Sequence, residues 1–182
     1  MLATYGNNLI KLTDSKGANH LSVSPDGHWV IYLSSSDDYL YKVPIEGGAP
    51  RRVAGKAVGV SAVSPDGKLI AYFAQGKENW GIAVSSFADG SAVRRFEVDS
   101  NSLNNTSLKW MPDGKALLYS VSSDGVANIW MQPLDGGRPR QVTDFKADGI
   151  FRFDISPDGK FLVCARGGWK HDVVLIKNLR AS

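Results

Sequence analysis

Four stretches of the chain share one pattern of apolar residues. Residues 28–34, 68–74, 115–121 and 160–166 read HWVIYLS, KLIAYFA, KALLYSV and KFLVCAR. Each begins with a polar residue and then places apolar residues on both faces of a strand, with β-branched and aromatic types common. A strand covered on one face alternates, whereas a strand in a sheet packed between two neighbours is apolar throughout. The pattern therefore predicts β-strands that are covered on both faces.

A turn of nearly constant sequence precedes each of these strands. Ser-Pro-Asp-Gly occurs three times, and a fourth copy that begins with Met111 keeps the last three residues. Successive glycines are 40, 47 and 45 residues apart, close to the roughly 40–45 residues of a four-stranded propeller blade. We expect these turn residues to be structural: Pro25, Asp26, Gly27, Pro65, Asp66, Gly67, Pro112, Asp113, Gly114, Pro157, Asp158 and Gly159.

The residue types suit a tight hairpin turn. Proline presets φ at the first corner, aspartate tolerates the second, and glycine then takes the left-handed conformation that closes a hairpin with a bulge. The four glycines are therefore predicted to have positive φ. Calcium binding by the aspartates is the alternative, but one carboxylate per turn falls far below the roughly six to eight oxygen ligands of that ion.

Two more strands follow in each repeat. Residues 39–50 and 128–139 read YLYKVPIEGGAP and NIWMQPLDGGRP, and residues 79–91 are a looser copy. The strand after them is short and basic, as in Arg51-Arg52 and Arg94-Arg95. A position at the sheet edge explains both properties, because exposed edges need protection from pairing.

The start of the chain supplies a strand that the last repeat lacks. LIKLTD at residues 9–14 resembles RQVTD at residues 140–144, whereas the last repeat ends soon after its third strand, DVVLIKN. We therefore expect one all-β domain over residues 1–182, a β-propeller of four four-stranded antiparallel blades, with an outer strand at residues 8–14 completing the last blade. The four repeats are expected at about 19–54, 58–98, 106–144 and 150–180.

Composition narrows the classes of protein. Hydrophobic residues make up 43% of the chain, enough for a buried core. The net charge of +3 is scattered, and without a basic block we expect no nucleic-acid partner. The one cysteine, Cys164, excludes an intramolecular disulfide and falls in a column of tyrosines, which predicts a core residue. No signal peptide and no run of about 18 apolar residues is visible, so we expect no membrane insertion by this chain and leave its compartment open.

The SPDG turns, the GG hairpins and the LTD or VTD outer strands together resemble the TolB-like, or WD-repeat-like, propellers over essentially the whole chain. The stretches 128–145, 150–160 and 166–178 look most like the C-terminal sensor propellers of some bacterial Ser/Thr kinases and winged-helix regulators. The resemblance implies a non-catalytic binding scaffold within a larger bacterial protein, extracytoplasmic if that parent is a membrane-anchored sensor. Such propellers also occur as gating domains of prolyl oligopeptidases, which is the alternative. Family propellers usually have more than four blades.

Sequence motifs for catalysis are absent. The histidines His20, His28 and His171 lack the partner spacing of a metal site. There is no GxSxG elbow and no phosphate-binding glycine loop, and a Ser–His–Asp set has no positional support. With three glutamates in the chain, no acid pair is marked out. We therefore predict no enzyme activity, no catalytic residues, no metal and no cofactor.

Binding is the better hypothesis, because the connections at one rim vary while the blades hold them rigid. Aromatic and charged residues together suit recognition. The candidate binding residues are Asp38, Lys77, Glu78, Trp80, Trp169, Lys170 and His171. The alternative for both tryptophans is a structural position between blades.

The partner is a protein or a small ligand, and we also expect a second copy of the chain. A four-blade chain would expose the apolar faces of its end blades, and two copies related by a two-fold axis would cover them in one eight-bladed ring. A closed four-blade monomer and an open fragment are the alternatives.

Overall fold

In the computed structural model, the residues described are 2–5, 8–13, 17–76, 80–98, 103–168 and 171–177. All seventeen elements of regular secondary structure among these residues are β-strands. This confirms the predicted all-β fold. The same ranges offer no helix that could cross a membrane. The chain divides into two compact units, residues 1–97 and 98–182.

The first unit contains a hairpin and two four-stranded antiparallel sheets. The hairpin pairs β1 (Leu2–Tyr5) with β2 (Asn8–Lys11). Blade 1 then runs in chain order through β3 (Ala18–Val23), β4 (Trp29–Ser34), β5 (Tyr39–Pro44) and β6 (Arg51–Lys56). Blade 2 follows with β7 (Val58–Val63), β8 (Leu69–Gln75), β9 (Trp80–Ser86) and β10 (Ala92–Glu97).

The second unit contains one complete blade and a three-stranded sheet among its described residues. Blade 3 consists of β11 (Leu103–Trp110), β12 (Ala116–Ser123), β13 (Val126–Pro133) and β14 (Arg140–Gln141). The last sheet consists of β15 (Gly149–Ile155), β16 (Phe161–Gly167) and β17 (His171–Lys177). In the structure β2 pairs with β1, and no described strand adds to the three of the last sheet. Completion of the last sheet by residues 8–14 therefore stays a prediction.

The turns between the first two strands of each sheet have the predicted conformation. Gly27, Gly67, Gly114 and Gly159 have φ of 75°, 71°, 70° and 71°. The serine of the motif has a role of its own: Ser64 Oγ donates to Asp66 Oδ1 at 2.6 Å and accepts from the backbone N–H of Leu69 at 2.9 Å. The bond from the serine hydroxyl is the main cause of a lowered pKa for Asp66, and the backbone N–H of Lys68, which donates to the same carboxylate oxygen at 3.1 Å, contributes. The same pair of serine bonds occurs in two other copies, and Met111 replaces the serine in the fourth.

A register shift recurs in all four sheets. The first and second strands of each sheet pair with a bulge near the start of the first strand, for example between Asn19 and Ser22 in blade 1. A bulge inserts an extra residue and increases the local twist. The four sheets therefore share a detail of geometry that their turn sequences do not encode.

Burial on both faces of the second strand is confirmed in blade 1. Ile31 and Leu33 belong to a core that also contains Ile70 and Tyr72 of blade 2. Val30 and Tyr32, on the opposite face of β4, pack in a separate cluster with Leu12 from the segment after β2. The cluster around Tyr32 positions the candidate site described below.

A buried lysine joins the two blades of the first unit. Lys42 on β5 donates from Nζ to the carbonyl oxygens of Phe87 and Ala88, at 2.5 and 3.2 Å. Its ammonium also lies over the rings of Trp29 and Phe87, 4.7 and 4.3 Å from their centroids. Burial lowers the pKa of Lys42. The backbone carbonyls and aromatic faces compensate for the removal of this charge from water.

The core of the second unit contains Cys164, as predicted. Its side chain is fully buried in a cluster with Leu118, Ile129, Ile150 and Leu162. Burial raises the pKa of the thiol, which disfavours the reactive thiolate. Cys164 is therefore a packing residue.

Candidate functional site

Two of the candidate binding residues lie in described parts of the first unit. Asp38 ends the turn between β4 and β5 in the left-handed conformation, with φ of 62°. Its N–H donates to the carbonyl of Ser34 at 3.1 Å, and its carbonyl accepts from Ala57 at 2.8 Å, so its backbone fixes the turn. Trp80 opens β9 opposite Gln75 and is half-buried. The assignment of Asp38 and Trp80 to one recognition surface stays a prediction.

The side chains of the other five candidates lie outside the part of the chain that the structure describes. Lys77, Glu78, Trp169 and Lys170 lie outside the described residues. His171 begins β17 and pairs with Gly167 in the second unit, and its backbone alone is described. Their assignment to a common recognition surface stays a prediction.

A cavity of about 460 Å³ lies in the first unit, on the face of blade 1 that carries Tyr32 and is turned away from blade 2. Its walls are the segment 11–13, the turn between β4 and β5, and Gly48 and Pro50 after β5. It follows the strands from one end of the blade to the other, because these two connections lie at opposite ends of the β4–β5 pair. We call this the Tyr32–Tyr41 cavity, after the two rings that line it.

The tyrosine pair results from strand register. Tyr32 on β4 lies directly opposite Tyr41 on β5, so both side chains project from one face of the sheet. The rings stack with centroids 5.7 Å apart and planes inclined by 19°. Tyr32 is buried and lies 3.4 Å from Thr13, measured between the two hydroxyl oxygens, whereas Tyr41 is half-buried. The pair gives the cavity an aromatic wall with hydroxyl groups.

Asp37 supplies the carboxylate of the cavity. Tyr41 Oη donates to Asp37 Oδ2 at 2.7 Å, and the N–H of Tyr39 donates to Asp37 Oδ1 at 3.3 Å. The Tyr41 hydroxyl is the main cause of a lowered pKa for Asp37, and the same bond raises the pKa of Tyr41. The carboxylate is therefore ionised at neutral pH and held in one orientation.

Hydroxyl groups and two cations complete the surroundings. Ser34 and Ser36 line the cavity with their hydroxyl oxygens 2.8 Å apart. Lys11 is an exposed residue of the wall. Arg52 lies over the ring of Tyr39, 4.6 Å from its centroid, and its charge contributes to the lowered pKa of Asp37. The carboxylate thus has the positive charge of Arg52 in its surroundings.

The lining offers groups that can hold a ligand, namely serine hydroxyls and one carboxylate. Among the described residues, no group of three or more His, Cys, Asp or Glu side chains could hold a metal ion. What the cavity offers is an aromatic wall, an oriented acceptor and several hydroxyls.

Sequence reasoning did not single out Asp37, Tyr32 and Tyr41, which line the cavity. It chose Asp38 in the adjacent position and read Tyr32 as a member of a core column. The signal that could have found the site was the spacing of Tyr32 and Tyr41 around a short turn, which makes them a cross-strand pair. Nothing in the sequence of residues 11–13 indicated that this segment would form part of the cavity wall.

Comparison with known proteins gives relatives over part of their length. The family model described as WD domain, G-beta repeat, matches residues 90–131, from β10 into β13. The chain is 27% identical to a probable dipeptidyl-peptidase 5 of Aspergillus flavus, with 84% of the chain and 25% of the relative covered. It is 25% identical to the dipeptidyl-peptidase 5 of Porphyromonas gingivalis, with 72% and 22% covered. The chain spans about a quarter of the length of these relatives.

A solved structure defines the fold. TolB from Acinetobacter baumannii superposes with a TM-score of 0.79 at 22% identity, over 95% of this chain and 44% of the TolB chain. The four-stranded antiparallel sheets and the WD-repeat match agree with this likeness. The fold of the chain is a TolB-like, WD-repeat-like β-propeller.

Proposed function

We propose that the chain is a non-catalytic ligand- or protein-binding module, the sensor or interaction part of a larger bacterial protein. The observation that carries this proposal is the Tyr32–Tyr41 cavity. Its volume of about 460 Å³ falls within the range of roughly 300–1,000 Å³ for small-molecule sites. A few oriented polar groups on an otherwise rigid sheet are what ligand recognition needs.

The Asp37–Tyr41 pair supports binding at this cavity. Its hydrogen bond moves the pKa values of both groups away from their usual ranges. Titratable groups with such shifts are enriched at functional sites. The pair also orients an ionised acceptor before any ligand arrives, which reduces the ordering required on binding.

A second candidate function is favoured by the relatives reported above. They are dipeptidyl-peptidases, and the chain matches a quarter of their length. In this alternative, the chain is the gating or substrate-presenting propeller of a similar hydrolase, and catalysis belongs to another part of that protein. The cavity would then receive a dipeptide end of the substrate.

One set of thermal-shift measurements tests both candidates. The chain is heated with neutral sugars, amino acids, small ammonium ions, inorganic phosphate and dipeptide amides, and the same panel is run on Asp37→Asn. Stabilisation that requires Asp37 supports a binding module. If dipeptide amides alone stabilise the chain, the peptidase-propeller alternative is favoured.

Catalysis is tested separately with alanyl-alanine p-nitroanilide. We expect no release of nitroaniline by the chain, and steady release that Asp37→Asn abolishes would overturn the non-catalytic assignment. Absence of any Asp37-dependent stabilisation across the panel would overturn the assignment of ligand binding to this cavity.

A further inference from the structure

We propose that two copies of the chain bind head to tail, with the last sheet of each copy packed on blade 1 of the other. This inference rests on the protein-binding form of the proposed function and names the partner as a second copy. It follows from the exposure of equivalent residues in the repeats, from the contacts between neighbouring blades, and from the position of the N-terminal segment.

The three blades and the last sheet each have two faces, which the second strand defines. The forward face carries Ile31 or its equivalent, and the rear face carries Tyr32 or its equivalent. Counted from the Pro-Asp-Gly turns, the equivalents are Ala71, Leu118 and Val163 on the forward faces, and Tyr72, Tyr119 and Cys164 on the rear faces.

Within each unit, the forward face of one sheet packs on the rear face of the next. Blade 1 meets blade 2 in a cluster that contains Ile31 and Tyr72. Blade 3 meets the last sheet in a cluster that contains Leu118 and Cys164. A forward face and a rear face are therefore complementary surfaces in this chain.

The forward face of the last sheet is uncovered. Val163 is 37% exposed, whereas its equivalents Ile31 and Leu118 are fully buried. Phe161, two residues earlier and hence on the same face, is 38% exposed. Apolar residues exposed together on one face mark a surface that a partner covers.

The rear face of blade 1 is uncovered at its first strand. Val23 is 55% exposed, whereas its register equivalents Val63 and Ile155 are half-buried and pack against the two clusters between blades. Leu21 on the same strand is also 55% exposed. Blade 1 thus presents a rear face without the forward face that covers its equivalents.

The N-terminal segment already has the position of an outer strand on this rear face. Leu12 packs in one cluster with Tyr32, as Val53 of the outer strand β6 does with Tyr72 of blade 2. The last sheet has no fourth strand among its described residues. Residues 8–14 of one copy are therefore placed to complete the last sheet of the other, and the Tyr32–Tyr41 cavity becomes part of the interface.

A second copy supplies both missing surfaces at once. Each copy has one uncovered forward face and one uncovered rear face. A two-fold axis pairs the forward face of each copy with the rear face of the other, so that both pairs of surfaces are covered. The assembly is an eight-bladed ring with two identical junctions.

The experiment is sedimentation equilibrium over a range of chain concentrations. We expect twice the 19.7 kDa chain mass, falling to the chain mass on dilution. Val23→Asp and Val163→Lys should each raise the dissociation constant of the dimer about a hundredfold or more, since each places an unpaired charge in both junctions. Val93→Asp is the matched control: Val93 is 53% exposed on the outer strand β10 and belongs to neither uncovered face, so the dissociation constant should not change.

An equimolar mixture of Val23→Asp and Val163→Lys tests the head-to-tail geometry. A mixed dimer has one unchanged junction and one in which the aspartate and the lysine lie in the same cluster, so the dimer mass should return. Circular dichroism checks the fold of each variant, and Phe161→Lys takes the place of Val163→Lys if that variant does not fold.

A single-chain mass at every concentration would overturn the inference. So would a Val23 or Val163 variant that dimerises as well as the parent, or a mixture that stays monomeric. Asp37-dependent stabilisation of a monomeric chain by a small ligand would overturn this inference and leave the proposed binding function standing.

Discussion

Two glycines of the first unit are needed for different reasons. One is needed for its backbone conformation alone, and the other also because a Cβ has no room there. Gly67 and Gly90 both lie in turns with positive φ, 71° and 77°. A Cβ at Gly67 would meet nothing within 4 Å. A Cβ at Gly90 would lie 3.0 Å from the carbonyl carbon and 3.1 Å from the carbonyl oxygen of Val53. The two positions therefore differ in space while sharing a backbone conformation.

The expected magnitudes follow from these contacts. Alanine in the left-handed region costs about 1–2 kcal/mol, and the loss of unfolded-state freedom on replacing glycine returns about 0.4–1 kcal/mol. Gly67→Ala should thus lower the free energy of unfolding by about 1 kcal/mol. Gly90→Ala adds an overpacking cost of about 1–3 kcal/mol, because the atoms that its Cβ would meet are backbone atoms of Val53, which is fully buried in β6. We expect a total loss of about 2–4 kcal/mol.

The assay is urea unfolding followed by tryptophan fluorescence. Gly67→Asn is the control, since asparagine tolerates the left-handed region better than alanine and should be less destabilising. Equal losses for Gly67→Ala and Gly90→Ala would refute the steric argument. Stability of Gly67→Ala equal to that of the parent would refute the conformational one.

The remaining predictions concern alkaline stability and assembly. Burial raises the pKa of Tyr119 to about 12 from 10.0, so between these values the unfolded chain loses the proton and the folded chain keeps it. Stability should therefore fall as pH rises through this window, by roughly 2–3 kcal/mol, and Tyr119→Phe should flatten that fall in urea melts at pH 10, 11 and 12; an unchanged slope would contradict the assignment. For assembly, light scattering should give twice the 19.7 kDa chain mass if two copies form one eight-bladed ring. Such a ring would cover the face of blade 1 that carries the Tyr32–Tyr41 cavity, so a dimeric mass would also count against ligand binding there, whereas a compact species at the single-chain mass would exclude the dimer.

Repetition made the architecture predictable from sequence. Four copies of one turn, each before a strand that is apolar on both faces, specified the hairpins and the positive φ of Gly27 and its three equivalents. The bulges near Asn19 and its equivalents were not predicted, because a register shift depends on how two strands meet and has no fixed residue type here. Strand β1 was also missed, since LATY is too short to show a pattern.

The candidate binding residue of the turn between β4 and β5 stays a prediction. Sequence reasoning chose Asp38, whose backbone fixes the turn in the left-handed conformation. The neighbouring Asp37 lines the cavity, beside a tyrosine pair that strand register brings together. Choosing between adjacent aspartates requires the turn conformation, which the string SSSDD does not specify. The cavity itself depends on segment 11–13, whose position is set by packing of Leu12 against Val30 and Tyr32.

The position of Lys42 makes it a reporter on the seam between blades 1 and 2. Its amine has carbonyl partners on the neighbouring blade and only 5% of the residue is exposed. An amine-reactive reagent can reach it only when the two blades separate, since the groups that cover it belong to both. Its labelling rate, compared with that of the exposed Lys68, therefore measures how often the seam opens without global unfolding.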